Sequence, residues 1–190
     1  GLSGSNLILT GDASIHKILG QFLSKYIENL IKNSNLILFE KDPYIKKCIQ
    51  IEKLILNTHG IKYKYLFKNI YSKLDNVKYN LIGNCHGDLT LSNIIVNKKE
   101  KKLVLIDHLD TFWNSPIQDI CKLIQDLRLY WTSRNLQETD KLRAKIFCEN
   151  LNPFKSIYEN SLDNIVQLEM MMTLLRILPY IPINDINTLN

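Results

Sequence analysis

In the stretch CHGDLTLSNIIVNKKEKKLVLIDHLD, Cys85 to Asp110, two carboxylates, Asp88 and Asp107, bracket an amide, Asn93. Each alone is an ordinary turn residue, because Asp and Asn side chains bond nearby backbone groups. Together they offer oxygen ligands of the kind Mg²⁺ prefers, a cation that in nucleotide sites takes one or two protein oxygens and completes its shell with phosphates and water. Asn93 opens one short apolar run and Asp107 ends the next. If those runs pair as antiparallel strands, amide and carboxylate sit side by side and serve one metal-phosphate cluster. Asp88, five residues before Asn93, falls on the loop leading in. A carboxylate so placed can orient an attacking hydroxyl and accept its proton.

The elements that must position these groups follow from the apolar patterning. NIIV (Asn93 to Val96) and KLVLID (Lys102 to Asp107), joined by the polar NKKEK, predict a β-hairpin. Ser115 followed by Pro116 predicts the N-cap and first turn of a helix that buries Ile117, Ile120, Cys121, Ile124 and Leu127. Upstream, apolar residues from Ile15 to Ile31 recur at spacings of three and four, which predicts an amphipathic helix over Ala13 to Lys32 with Asp12 as N-cap. A second helix is expected from about Asp42 and Pro43, burying Ile45, Cys48, Ile49, Ile51 or Leu54, and Ile55. A third covers Tyr65 to Leu74, and two more cover Gln137 to Asn150 and Ser161 to Leu178, separated by Asn152 and Pro153. The fold expected is α+β and mostly α-helical, with a small hairpin at the site.

Composition bounds the rest. At 190 residues and 45% hydrophobic, the chain fits one domain, or the larger part of a two-lobed one, with a substantial core. The net charge of +5 comes mostly from scattered lysines. The local cluster of Lys98, Lys99, Lys101 and Lys102 reads as a solvated turn rather than a nucleic-acid surface, which interleaves basic residues with aromatics. Cys48, Cys85, Cys121 and Cys148 form no CxxC pair and read as free thiols of a reducing compartment. No apolar run reaches the roughly 20 residues of a membrane span, and no signal-peptide pattern opens the chain, so a cytoplasmic location is expected.

His86-x-Asp88-Leu89-x-x-x-Asn93 resembles the catalytic loop of protein kinases, H-R-D-L-x-x-x-N, with Gly87 in place of Arg. With that glycine, HGDLTLSNIIV followed by LVLIDHLD resembles the aminoglycoside phosphotransferase and choline kinase family, within it most closely bacterial phosphotransferases encoded with surface-polysaccharide genes. The resemblance implies the C-terminal lobe of a protein-kinase-like fold, extending over residues 1–190 as a single domain. It implies Asp88 as catalytic base, Asn93 and Asp107 as ligands of Mg²⁺ and so of ATP, and a small-molecule hydroxyl, first of all that of a sugar, as acceptor. His86 then braces the loop, and Asp119 in SPIQDICKL bonds its backbone amides.

The sequence departs from the kinase pattern in two places. Asp107-His108-Leu109 stands where protein kinases have D-F-G. No N-terminal lobe with a Gly-rich loop and a phosphate-binding lysine is legible, and residues 1–12 read as a linker, a cloning scar or the remnant of such a lobe, with NLILT as a strand entering it. Lys17, thirteen positions after Gly4, sits in a long amphipathic helix and reads as solvated. A non-catalytic binding or scaffold module and a metal-dependent hydrolase are the alternative functions. Asp110 and His108 read as surface or packing residues, Phe112 and Trp113 as core beside a helix start, and Cys85 and Cys121 as small buried groups. Met170 to Met172 with Leu174 and Leu175 fit a buried helix. In relatives with cationic acceptors, acids from the last helices face the acceptor, a position open here to Asp163 and Glu169.

Overall fold

The computed structural model describes residues 2–3, 6, 12–60, 64–97, 99–100, 102–134, 137–150 and 163–182. These residues are mostly α-helical with two small antiparallel sheets. Helix α1 (Ala13–Lys32) starts where Asp12 Oδ1 accepts the Ser14 backbone N–H at 2.9 Å, satisfying an amide that the first turn leaves without a partner. Ile15, Leu19, Leu23 and Ile27, four residues apart, form its buried stripe.

Strand β2 (Asn35–Leu38) pairs antiparallel with β3 (Tyr79–Ile82), Asn35 opposite Ile82. Between them run α2 (Lys41–His59) and α3 (Lys64–Leu74). Helix α2 corrects the expected face. It buries Tyr44, Cys48, Ile51 and Ile55, while Ile49 and Leu54 are exposed and Ile45 is half-buried. Tyr44 sets this rotation, because its ring is enclosed by Phe39, Phe112 and Trp113 at centroid distances of 4.8, 5.3 and 5.8 Å. A polar tip on an aromatic body was enough to hide it from the apolar count.

The second sheet carries the site. Its order is β1 (Leu2–Ser3), β4 (Ile94–Asn97) and β5 (Lys102–Leu105), with Ile94 opposite Leu105 and Leu2 opposite Val96. Leu2 and Ser3 of the expected linker thus form an edge strand against the hairpin. In NLILT, residues 7–10 lie outside the described residues, as do Asn152 and Pro153. Helix α4 (Pro116–Leu129) has the Ser115 cap and the proline start, and from Pro116 to Leu127 every residue but Lys122 is buried. It packs against α1, α5 (Glu138–Asn150), α6 (Asp163–Ile177) and β3. Met172 is buried on α6 while Met170 and Met171 are half-buried. Among the described residues no helix is long and apolar enough to cross a membrane.

Glu169 is also inside. It hydrogen-bonds the Tyr44 hydroxyl, which accepts from Asn80 Nδ2 at 2.8 Å. Burial raises its pKa from the ordinary 4.5 to about 7. Since the folded state holds this proton more tightly than the unfolded chain, the group's contribution is most favourable below about pH 4.5 and is lost as pH rises through 7. Glu169→Gln is therefore expected to melt higher than the wild type by about 5 °C at pH 8, the gap narrowing as pH falls toward 5. Parallel melting curves at both pH values would show that the carboxyl is not what the core resists.

Candidate active site

The loop from His86 to Asn93 is fixed largely through its backbone. His86 is fully buried, and its Nε2 donates to the Ile106 carbonyl at 2.7 Å while Nδ1 accepts the Asp88 N–H at 3.3 Å. One donor and one acceptor specify the neutral imidazole, and burial, lowering the pKa, favours the same form. The His86 carbonyl accepts the Leu109 N–H at 3.0 Å, so the loop and the segment after β5 are tied together. Gly87, at φ +85°, lies beneath that segment, and a Cβ there would come 2.3 Å from the Leu109 carbonyl oxygen. Glycine stands in the position of the protein-kinase arginine because the neighbouring backbone occupies the side chain's space.

One face of α4 holds the loop from below. Asp119, fully buried, accepts the His86 N–H at 2.6 Å and the Gly87 N–H at 2.8 Å. Burial pushes its pKa up to about 6 while the two amides draw it down. One turn on, Lys122 Nζ lies 3.0 Å from Asp88 Oδ1, the lysine side chain 13% exposed and the aspartate 28%. A further turn on, Asp126 Oδ2 accepts the Leu91 N–H at 2.6 Å, and Asp126 Oδ1 the Thr132 N–H at 2.7 Å; burial is the main influence on its pKa, which is raised. Positions 119, 122 and 126 thus grip the loop at three successive points. Lys122 and Asp126 were not singled out from the sequence, although charged residues spaced by three and four along the apolar face of a helix carry that signal.

Asn93 closes the loop. Its Nδ2 donates to the Asp88 carbonyl at 2.8 Å and to Asp88 Oδ2 at 3.1 Å, so Asp88 is held by Lys122 on one oxygen and Asn93 on the other. Each carboxylate oxygen keeps acceptor capacity for an incoming hydroxyl. The Ile106 N–H donates to the Asn93 carbonyl at 3.0 Å, extending the hairpin by one rung and leaving Asp107 just beyond it, exposed and at φ 58°. That left-handed backbone is uncommon for a residue other than glycine and is best tolerated by Asn and Asp. Among the described residues no group of three or more His, Cys, Asp and Glu could hold a metal. The donor set here is one amide oxygen, left over once Nδ2 is committed to Asp88, and one exposed carboxylate. It suits Mg²⁺ that takes its other ligands from phosphates and water.

A cleft of about 780 Å³ opens beside the loop, lined by Asp88, Thr90, Ser92 and Lys122 and by residues of α2, of the end of α6 and of the segments after β5, α4 and α6. Asn93 and Asp107 are not among its walls. Glu169 is not in it either; it belongs to the core, because its partner Tyr44 is enclosed there. The side chain of Asp163 lies outside the described residues. His108 is exposed with its ring 4.2 Å from that of His86, and Asp110 and Lys17 are exposed. Phe112 and Trp113 pack against the core. Cys85 is only half-buried, its Sγ 3.7 Å from Thr111 Oγ1.

No match is found among curated proteins. Residues 12–128, more than half of the chain and including the loop, the hairpin and nearly all of α4, match the model of the ecdysteroid kinase-like family, which lies in the protein-kinase-like superfamily. The match is not specific to aminoglycoside phosphotransferases or choline kinases. By that match, the chain belongs to the ecdysteroid kinase-like family.

Proposed function

We propose that the chain is the C-terminal lobe of a phosphotransferase that moves the γ-phosphoryl group of ATP to a hydroxyl of a small molecule, with a sugar as the first candidate. The observation that carries this reading is the setting of Asp88, clamped by Lys122 and Asn93 and facing a cleft, with Asp107 one residue beyond the rung that pairs Asn93 with Ile106. The acceptor hydroxyl gives its proton to the Asp88 carboxylate as its oxygen bonds to the γ-phosphorus. The bond from that phosphorus to the β–γ bridging oxygen breaks, and ADP leaves. Asn93 and Asp107 would hold Mg²⁺, which when bound neutralises phosphate charge. Little covalent work remains for the protein, so the chemistry rests on positioning and electrostatics.

His86 and Asp119 act through the loop and touch no reacting atom. Membership in a kinase-like family supports the reaction class, and the likeness of HGDLTLSNIIV and LVLIDHLD to the aminoglycoside phosphotransferase motif is what supports a hydroxylated small acceptor. A strand-rich N-terminal lobe supplying a phosphate-covering loop and a lysine completes the proposal. A cytoplasmic location accompanies it, in keeping with the free thiols of Cys48, Cys85 and Cys121.

The test is a thermal-shift series with Mg·ATP on this chain and on a version extended upstream. A ligand that binds only the folded state raises the melting temperature, and Asp107→Ala is expected to remove most of the Mg²⁺-dependent part of that rise. If neither form responds to Mg·ATP, or if Asp107→Ala responds as the wild type does, the nucleotide assignment fails. ATP consumption with no phosphorylated product would point to hydrolysis instead.

A further inference from the structure

The cleft beside Asp88 is strongly basic. Its walls include Lys47, Lys122, Arg134 and Arg176, and Asp88 is the one carboxylate among its lining residues. Three of these cations have a partner, Lys47 the most loosely, with its Nζ 5.8 Å from the centroid of the Phe112 ring. Lys122 pairs with Asp88, and Arg134 lies over the Trp131 ring, its Cζ 3.8 Å from the centroid, with Nη1 donating to the Trp131 carbonyl. Lys47 and Arg176, from α2 and the last turn of α6, have no salt-bridge partner among the described residues, although the Arg176 charge is felt by the buried Glu169 carboxyl and draws its pKa down. They lie close enough that the Arg176 charge adds to burial in lowering the lysine pKa, a like-charge pair that a bound anion would relieve. Ile51, Leu54, Ile177 and Tyr180 line the same cleft and offer an apolar and aromatic floor.

These cations stand on the acceptor side. Asp88 lines the cleft, whereas Asn93 and Asp107, the residues suited to a metal-bound triphosphate, do not. A cationic acceptor would meet four positive side chains and one carboxylate already paired with Lys122.

We propose that the acceptor carries an anionic group, a phosphate or a carboxylate, in addition to its hydroxyl, and that Lys47 and Arg176 bind this anion while the hydroxyl is presented to Asp88. This rests on the phosphotransferase reading and narrows its substrate class to hydroxylated organic anions.

The test uses the whole chain with four matched ligands: glucose, glucose 6-phosphate, glucuronate and glucosamine. Thermal shifts are measured without nucleotide, and transfer from Mg·ATP is measured separately. Glucose 6-phosphate or glucuronate is expected to raise the melting temperature at millimolar concentration, with glucose and glucosamine inert, and the comparison of the two anions separates phosphate from carboxylate. Lys47→Gln/Arg176→Gln is expected to weaken anion binding by roughly tenfold or more, and Arg176→Lys alone to retain most of it. If the double variant melts far below the wild type in buffer, competition of inorganic phosphate with glucose 6-phosphate on the wild type decides, and absence of competition overturns the inference.

It is likewise overturned by no shift with either anion, by equal shifts with all four ligands, or by anion shifts that survive in a folded double variant. Loss of the Mg·ATP shift in the double variant overturns it too, by assigning the cations to the nucleotide. Anion binding through Lys47 and Arg176 with no transfer to any acceptor, by this chain or by the version extended upstream, leaves the anion site standing and removes the kinase reading. Transfer to glucose or glucosamine with no preference for the anions does the reverse.

Discussion

Asp88→Asn is expected to lower phosphoryl transfer by about 10²- to 10⁴-fold, the usual worth of a positioned general base, while the Mg·ATP thermal shift stays near the wild-type value. The substitution keeps the size of the side chain and one oxygen that can accept from Asn93 Nδ2, so the loop retains its shape. What it removes is the capacity to take a proton and the negative charge facing Lys122. Turnover by single-substrate kinetics, with nucleotide binding followed in parallel, separates the two effects. Equal transfer rates in wild type and variant would remove Asp88 from the chemistry.

The second large effect falls on a residue that touches no reacting atom. Asp119→Ala leaves the His86 and Gly87 amides without their partner at buried positions, each such loss costing roughly 1–3 kcal/mol, or about 3–5 kcal/mol together with the small cavity. The denaturation midpoint should fall at an unchanged slope, which marks a loss of stability rather than a change in the surface exposed. A loss below about 1 kcal/mol would mean that the two amides find other partners and that the loop does not depend on this carboxylate. Asp119→Asn offers one acceptor oxygen in place of two and is expected to fall between the wild type and alanine.

The parts of the molecule that could be read from sequence are those where local chemistry and tertiary role agree. The hairpin was legible because NIIV and KLVLI are β-formers around a polar turn, and α4 because Ser115 and Pro116 punctuate a regular apolar spacing. Strand β2 was missed: it has four residues, and Leu36 and Leu38 are exposed, so no in-out alternation marks it. The face of α2 was misjudged because Tyr44 outweighs Ile49 and Leu54 through an aromatic cluster drawn from distant segments. The cleft cations were out of reach for the same reason, since Lys47, Lys122, Arg134 and Arg176 come together only when α2, α4 and α6 have packed.

Helix α4 has a consequence for how the molecule moves. It is enclosed by the core along nearly its whole length, yet it also supplies the three side chains that fix the loop at His86, Asp88 and Leu91. Loop and helix therefore form a single cooperative unit, in which freeing the loop means unfolding the core rather than opening a local hinge. For the proposed transfer, this places any gating in the groups brought to the platform rather than in the loop itself.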